Sequence, residues 1–204
     1  MLRTTWQQLM LQFTDNPAII EEGYNTIISN YSTADRHYHN LQHLEALLQL
    51  QQQYAAAITD NNTLQLAIFF HDLIYDVKKG DNEEQSALAA IRFLEPLSCP
   101  PEKIAAYIRA TKTHQNPHND GDLDYFLDFD LSVLGAPAEA YKAYTTQIRQ
   151  EYRIFPDMLY KPGRRKVLQH FLDLPFIYKI AVFREKYEAQ ARVNLLGELR
   201  ELSA

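Results

Sequence analysis

Apolar residues recur along this chain at intervals of three and four, and period-two alternation is hard to find. That pattern predicts helices throughout. Trp6, Leu9, Met10 and Phe13 open the series at helical spacing. Asn16-Pro17 reads as an N-cap followed by proline at the first helical position, which starts a helix running to Tyr31. A further helix is expected over residues 40–58, with Leu44, Leu47, Leu48 and Tyr54 on its apolar side. The next covers residues 62–75, and its Leu66-Ala67-Ile68-Phe69-Phe70 run is apolar all round, as suits a central helix. Lys78-Lys79-Gly80-Asp81 reads as a turn before a helix that begins at Asn82. Pro100-Pro101 divides that helix from one over residues 102–112. His114 to Gly121 is a polar, breaker-rich loop. Helices over residues 124–134, 137–153, 163–171 and 175–202 complete the chain. The expectation is an all-α, single-domain helical bundle without repeats, low-complexity tracts or a separating linker.

Composition fits this picture. The 204 residues are 46% hydrophobic and 23% charged, enough for one globular domain with a full core, with room for a small second lobe. A net charge of −6 excludes an extended basic nucleic-acid face, though not a local anion pocket. The single cysteine, Cys99, has no internal partner, reads as a small apolar filler, and suits a reducing, cytoplasmic setting. The N-terminus lacks a basic segment followed by an apolar run, and no apolar stretch approaches the roughly 20 residues of a membrane helix, so no membrane role is expected.

Three segments carry candidate chemistry: Tyr38-His39-Asn40-Leu41-Gln42-His43, His71-Asp72, and Asp128-Phe129-Asp130. A lone histidine in a helix is usually structural or exposed, and acidic residues at a helix start are favourable capping charges. His71-Asp72 resists those readings, because Phe69, Phe70, Leu73 and Ile74 around it imply burial. A buried carboxylate needs a cation or hydrogen-bond donors. A metal shared with histidines supplies the cation, with His43 from the preceding helix and Asp130 from a later one. Two imidazoles and two carboxylates suit Mn²⁺, Fe²⁺, Co²⁺, Ni²⁺ or Zn²⁺ better than Mg²⁺ or Ca²⁺.

The ordered set His43 … His71-Asp72 … Asp130, on helices, resembles the HD superfamily of metal-dependent phosphohydrolases. The Tyr38-His39-Asn40-x-x-His43 segment is similar to the motif of cyclic-nucleotide phosphodiesterases within it. That likeness implies His39 as general acid and His43 as metal ligand. Asp128-x-Asp130 with Leu134-Gly135-Ala136 is similar to the superfamily's closing aspartate segment, which makes Asp130 the ligand and Asp128 the reserve. Arg36-x-Tyr38-His39-Asn40, Phe70-His71-Asp72, Asn82-Glu83-Glu84 with Ser86-Ala87, Thr111-Lys112-x-His114, Ile148-Arg149-x-Glu151-Tyr152 and Ala191-Arg192-x-Asn194-Leu195 resemble a bacterial group of HD phosphohydrolases. The resemblance spans most of the chain. It implies an HD-type bundle, with a metal-binding core over residues 32–135 and C-terminal helices over 137–202 packed on it.

The activity so implied is hydrolysis of a phosphate ester or anhydride by a metal-activated water, with nucleotides as first candidates and no transfer of cyclic-nucleotide specificity. Asp72 would hold the metal and orient or deprotonate the water. Arg36, Lys112 and His114 are candidate substrate contacts, His114 standing equally for a weak second ion, for which Mg²⁺ is a candidate, or a plain loop residue. No histidine occurs between residues 72 and 113, so a full second-metal set is absent. Glu83 and Glu84 are favourable at a helix start in any case. Lys78, Lys79, Gly163-Arg164-Arg165 and His118 are weaker anion or ligand candidates, and His170 reads as a core histidine. Alternatives are a regulatory HD module that binds metal or nucleotide without turnover, and a di-iron oxygenase, which the missing histidines disfavour. A homodimer is the default assembly.

Overall fold

The computed structural model describes residues 1–203, and among these every regular element is helical. In order they are α1 (Leu2–Met10), α2 (Pro17–Tyr31), α3 (Leu41–Gln53), α4 (Asn61–Phe70), α5 (Asn82–Leu94), α6 (Pro101–Ala110), α7 (Gly121–Leu131), α8 (Ala138–Glu151), α9 (Asp157–Asp173), α10 (Ala181–Phe183) and α11 (Ala189–Glu201). Short 3₁₀ turns at Ala55–Ala57 and Ser132–Gly135, and a π turn at Arg184–Glu188, supplement them. The chain divides into two compact units, Met1–Phe126 and Leu127–Ala204. No helix among the described residues is long and apolar enough to cross a membrane.

In the first unit, α4 packs on α1, α3, α5 and α6. Its Leu64, Leu66, Ala67, Ile68, Phe69 and Phe70 are all buried, as an all-round apolar helix must be. Trp6 of α1 meets Phe69 edge-on at 5.2 Å and donates its indole N–H to the Ile20 carbonyl at 2.8 Å. That bond satisfies the one polar atom of a fully buried ring. The start of α2 follows its sequence signal, since the Asn16 side chain accepts from Ala18 N and Pro17 sits at N1. Asn40 caps α3 by accepting from Gln42 N.

Two differences from the sequence expectation concern this unit. The helix expected to reach residue 75 ends at Phe70, so His71 is its C-cap and Asp72 lies in the turn beyond. The helix expected to reach residue 58 ends at Gln53, followed by the 3₁₀ turn.

In the second unit, α11 packs on α9. Arg164 pairs through Nε and Nη2 with Glu198 at 2.7 and 3.0 Å, while Tyr141 donates to the same carboxylate at 2.5 Å. Arg164 is therefore committed to an internal network rather than open to an anion. Helix α9 begins at Asp157 and runs through Pro162, where the expected start lay at Gly163. Pro162 is exposed, so water can serve the carbonyl its missing N–H leaves unpaired. Residues 175–180, expected to be helical, are not; they lead into α10. His170 is exposed rather than in the core.

Candidate metal centre

The site is built where α3 meets the end of α4. Asn40 fixes the entry to α3, also donating from Nδ2 to the His37 carbonyl at 2.8 Å, and His43 follows on its first turn, buried. His71 is the C-cap of the apolar α4 and is also buried. Its Nδ1 lies 2.8 Å from the Ile68 carbonyl. A carbonyl only accepts, so a proton sits on Nδ1, and in its neutral form His71 presents an Nε2 lone pair. The His71 ring stands perpendicular to that of Phe126, with 5.7 Å between centroids.

Three donor atoms converge. His43 Nε2 and His71 Nε2 are 3.1 Å apart, His71 Nε2 and Asp72 Oδ2 3.2 Å, and His43 Nε2 and Asp72 Oδ2 3.9 Å. All three lie within 4.8 Å of one another, a grouping able to hold a metal ion. Donors sharing one transition-metal ion at about 2.1 Å stand roughly 3.0–3.5 Å apart, so the spacing fits, with one edge wide. The chemistry fits as well: two imidazoles, one with its lone pair fixed inward, and one carboxylate. Burial raises the pKa of the Asp72 carboxyl, but without a metal the imidazoles of His71, His39 and His43, when protonated, outweigh it and hold the group below the usual carboxylate range. Asp72 is thus an anion at neutral pH.

The turn that carries Asp72 is gripped through its backbone. Asp72 N–H donates to the Tyr31 hydroxyl at 3.1 Å, and its carbonyl accepts from Arg36 at 2.6 Å. Leu73 O accepts from Arg36 at 2.9 Å. Ser86 of α5 accepts from Ile74 N at 2.9 Å and donates to Ile74 O at 3.2 Å. Asp76 and Asn82 exchange two further bonds, at 3.1 and 3.0 Å. These partners supply what a helix would have supplied, which is why the chain can leave helical geometry at a buried position.

His39 is half-buried just before α3. Its ring stands 5.9 Å from that of His43, 5.0 Å from that of Tyr38, and lies over Tyr75 at 4.5 Å. The substrate-contact candidates fall differently. Arg36 is buried, and its guanidinium is spent on backbone carbonyls. Lys112 is exposed, bonded to the Gly80 carbonyl and 4.0 Å from Glu83. His114 is half-buried with φ of 51°, a left-handed conformation that a non-glycine residue adopts at some cost. Lys78, Lys79, Arg165 and His118 are exposed. Glu84 forms a two-pronged pair with Arg109 at 2.7 and 2.9 Å, joining α5 to α6.

Asp130 and Asp128 belong to the second unit. Asp128 is fully buried, and its carboxylate accepts from Lys179 N and Ile180 N. Asp130 is half-buried on the same helix. Sequence reasoning assigned no role to Tyr31 or to the Ile68 carbonyl, and gave Ser86 none beyond its place in a motif. No local pattern marks such partners, because each reaches the site from a separate segment.

No protein-family model, curated protein or solved structure matches the chain.

Proposed function

We propose that the chain is a metal-dependent phosphohydrolase acting on a phosphate ester or anhydride, with nucleotides as the first substrate class. The observation that carries this reading is the convergence of His43 Nε2, His71 Nε2 and Asp72 Oδ2 in a largely buried site. These three would hold a divalent transition ion such as Mn²⁺, Fe²⁺, Co²⁺, Ni²⁺ or Zn²⁺. Such an ion, when bound, supplies a Lewis acid that acidifies water and polarises a phosphoryl oxygen.

The chain's own residues supply the rest. The bond from His71 Nδ1 to Ile68 O keeps that ring in one tautomer and orientation. Ionised Asp72 is held in place by Tyr31 and Arg36 through its backbone, and it orients or deprotonates the attacking water. His39, protonated, donates to the leaving oxygen. Lys112 and His114 are the side chains that would offer charge and hydrogen bonds to phosphate oxygens.

The test is phosphate release from a panel of nucleotides and phosphate esters with added Mn²⁺, Co²⁺ or Ni²⁺. Wild type and Asp72→Ala are compared, with far-UV circular dichroism confirming that both are folded. Release by wild type alone supports the reading. A wild type that binds metal yet releases nothing from any substrate moves the reading to a regulatory module without turnover.

A further inference from the structure

Arg36 differs from five other arginines in its partners, and from Arg184, which also bonds backbone carbonyls (of Tyr178 and Lys179), in being buried. Arg3, Arg109, Arg149, Arg164 and Arg192 each meet a carboxylate, on Glu21, Glu84, Asp157, Glu198 and Glu188. Among the described residues no carboxylate pairs with Arg36, although it is only 7% exposed. A buried cation is costly unless something specific repays it. Here three backbone carbonyls do so: Nη1 donates to His39 O at 3.0 Å and Asp72 O at 2.6 Å, and Nη2 to Leu73 O at 2.9 Å. Its Nε is buried without a partner.

Those carbonyls come from two separate segments, the loop before α3 and the turn after α4. The planar guanidinium bridges them in a way a lysine ammonium, a point charge on a flexible stem, does not. Two aromatic rings complete the arrangement. Arg36 lies over Tyr31 at 4.8 Å, whose hydroxyl takes the Asp72 N–H, so that one peptide segment is gripped at both its donor and its acceptor. Arg36 also lies over Tyr75 at 5.3 Å, and Tyr75 stacks on His39 at 4.5 Å with 34° between planes. His39 is thereby held at its carbonyl directly and at its ring through Tyr75.

The geometry points to Arg36 as a positioning residue that fixes His39 against Asp72, not as a contact for substrate phosphate. The inference rests on the reading of His39 and Asp72 as site residues given under Proposed function. Its donors face backbone, and a phosphate would have to displace three hydrogen bonds to reach them. Metal ligands lose affinity when the groups that orient them are removed, typically by about 10- to 100-fold.

The test uses two readouts that need no turnover, so a protein without hydrolytic activity still decides it. The first is the NMR signal of the His39 ring in ¹³C-histidine-labelled protein, assigned with His39→Ala. Stacking under Tyr75 shifts it upfield. The shift should persist in Tyr75→Phe and vanish in both Tyr75→Leu and Arg36→Lys. The second is Ni²⁺ or Zn²⁺ affinity by chelator competition, which should fall about tenfold or more in Arg36→Lys and stay at the wild-type value in Tyr75→Phe. A folded Arg36→Lys with the wild-type His39 shift and wild-type affinity would overturn the proposal.

If Arg36→Lys does not fold, wild type decides. Its Arg36 guanidinium ¹⁵N–H signals, recorded with metal present, should stay unmoved on adding inorganic phosphate. Their displacement by phosphate would make Arg36 a substrate contact and overturn the positioning role.

Discussion

Asp128 accepts the backbone N–H of Lys179 through both carboxylate oxygens, at 2.8 and 3.0 Å. It takes Ile180 N–H as well, at 2.8 Å. Glu188 does the same for Ile177 and Tyr178, at 3.0 and 3.3 Å from its Oε2. Two carboxylates thus satisfy four successive N–H groups of the non-helical entry to α10. Asp128→Ala should cost about 1–3 kcal/mol, read by urea unfolding, because two part-buried N–H groups lose the carboxylate that accepts from them. Metal content should not change. Loss of metal with stability intact would instead make Asp128 the ligand.

Gly23 on α2 leaves room for two aromatic rings. A Cβ built there would stand 2.5 Å from both Phe93 Cζ and Trp6 Cζ2. Gly23→Ala should destabilise by about 1–3 kcal/mol, since the fully buried Trp6 ring has no room to yield in a close-packed core. Gly197 on α11 has nothing within 4 Å of the same position. Gly197→Ala should gain about 0.5–1 kcal/mol from the reduced freedom of the unfolded chain. Parallel denaturation of the two variants checks both signs.

Much of this architecture was legible in the sequence. Asn16-Pro17 and Asn40 marked helix starts, and the apolar run through Phe70 marked the helix at the centre of the first unit. Those signals are local, carried by capping chemistry and by periodicity. The end of α4 was not legible. Leu73 and Ile74 continue the apolar pattern past Phe70, and only Tyr31, Arg36 and Ser86, from three other segments, release the backbone there. Pro162-Gly163 misled in the other direction, since an exposed proline can be carried inside a helix when water replaces its bond. At the site, the juxtaposition of His43, His71 and Asp72 followed from their types and order. The use of Arg36 did not, because a motif cannot say whether an arginine faces a ligand or a carbonyl.

Stability should fall at alkaline pH. Burial raises the pKa of Tyr107, Tyr141 and Tyr178, and nearby carboxylates add to it: Asp120 beside Tyr107, Glu198 beside Tyr141, Asp128 and Glu188 beside Tyr178. A phenol whose folded pKa lies above its unfolded value of about 10 contributes stability that is complete below pH 10 and is lost as pH rises above it. Urea midpoints should therefore be flat on the alkaline side up to about pH 10 and drop beyond it. Tyrosinate absorbance should rise together with unfolding. Ionisation of all thirteen tyrosines in a still-folded chain would contradict this.

His39→Ala separates proton donation from metal holding. If His39 protonates the leaving oxygen, this variant should lose about 10²–10⁴-fold in kcat while metal content stays at the wild-type value. Substrates whose leaving group is a weak base, such as p-nitrophenyl phosphate, should be hurt least. Equal turnover on all substrates would remove His39 from the mechanism.

The most direct test of the central claim is metal stoichiometry. Wild type and His71→Ala, incubated with Mn²⁺, Co²⁺, Ni²⁺ or Zn²⁺ and freed of loose ion by gel filtration, are assayed for bound metal with folding checked by circular dichroism. The account predicts a stoichiometric ion in wild type and none in folded His71→Ala. A wild type that retains no metal from any of the four would contradict it.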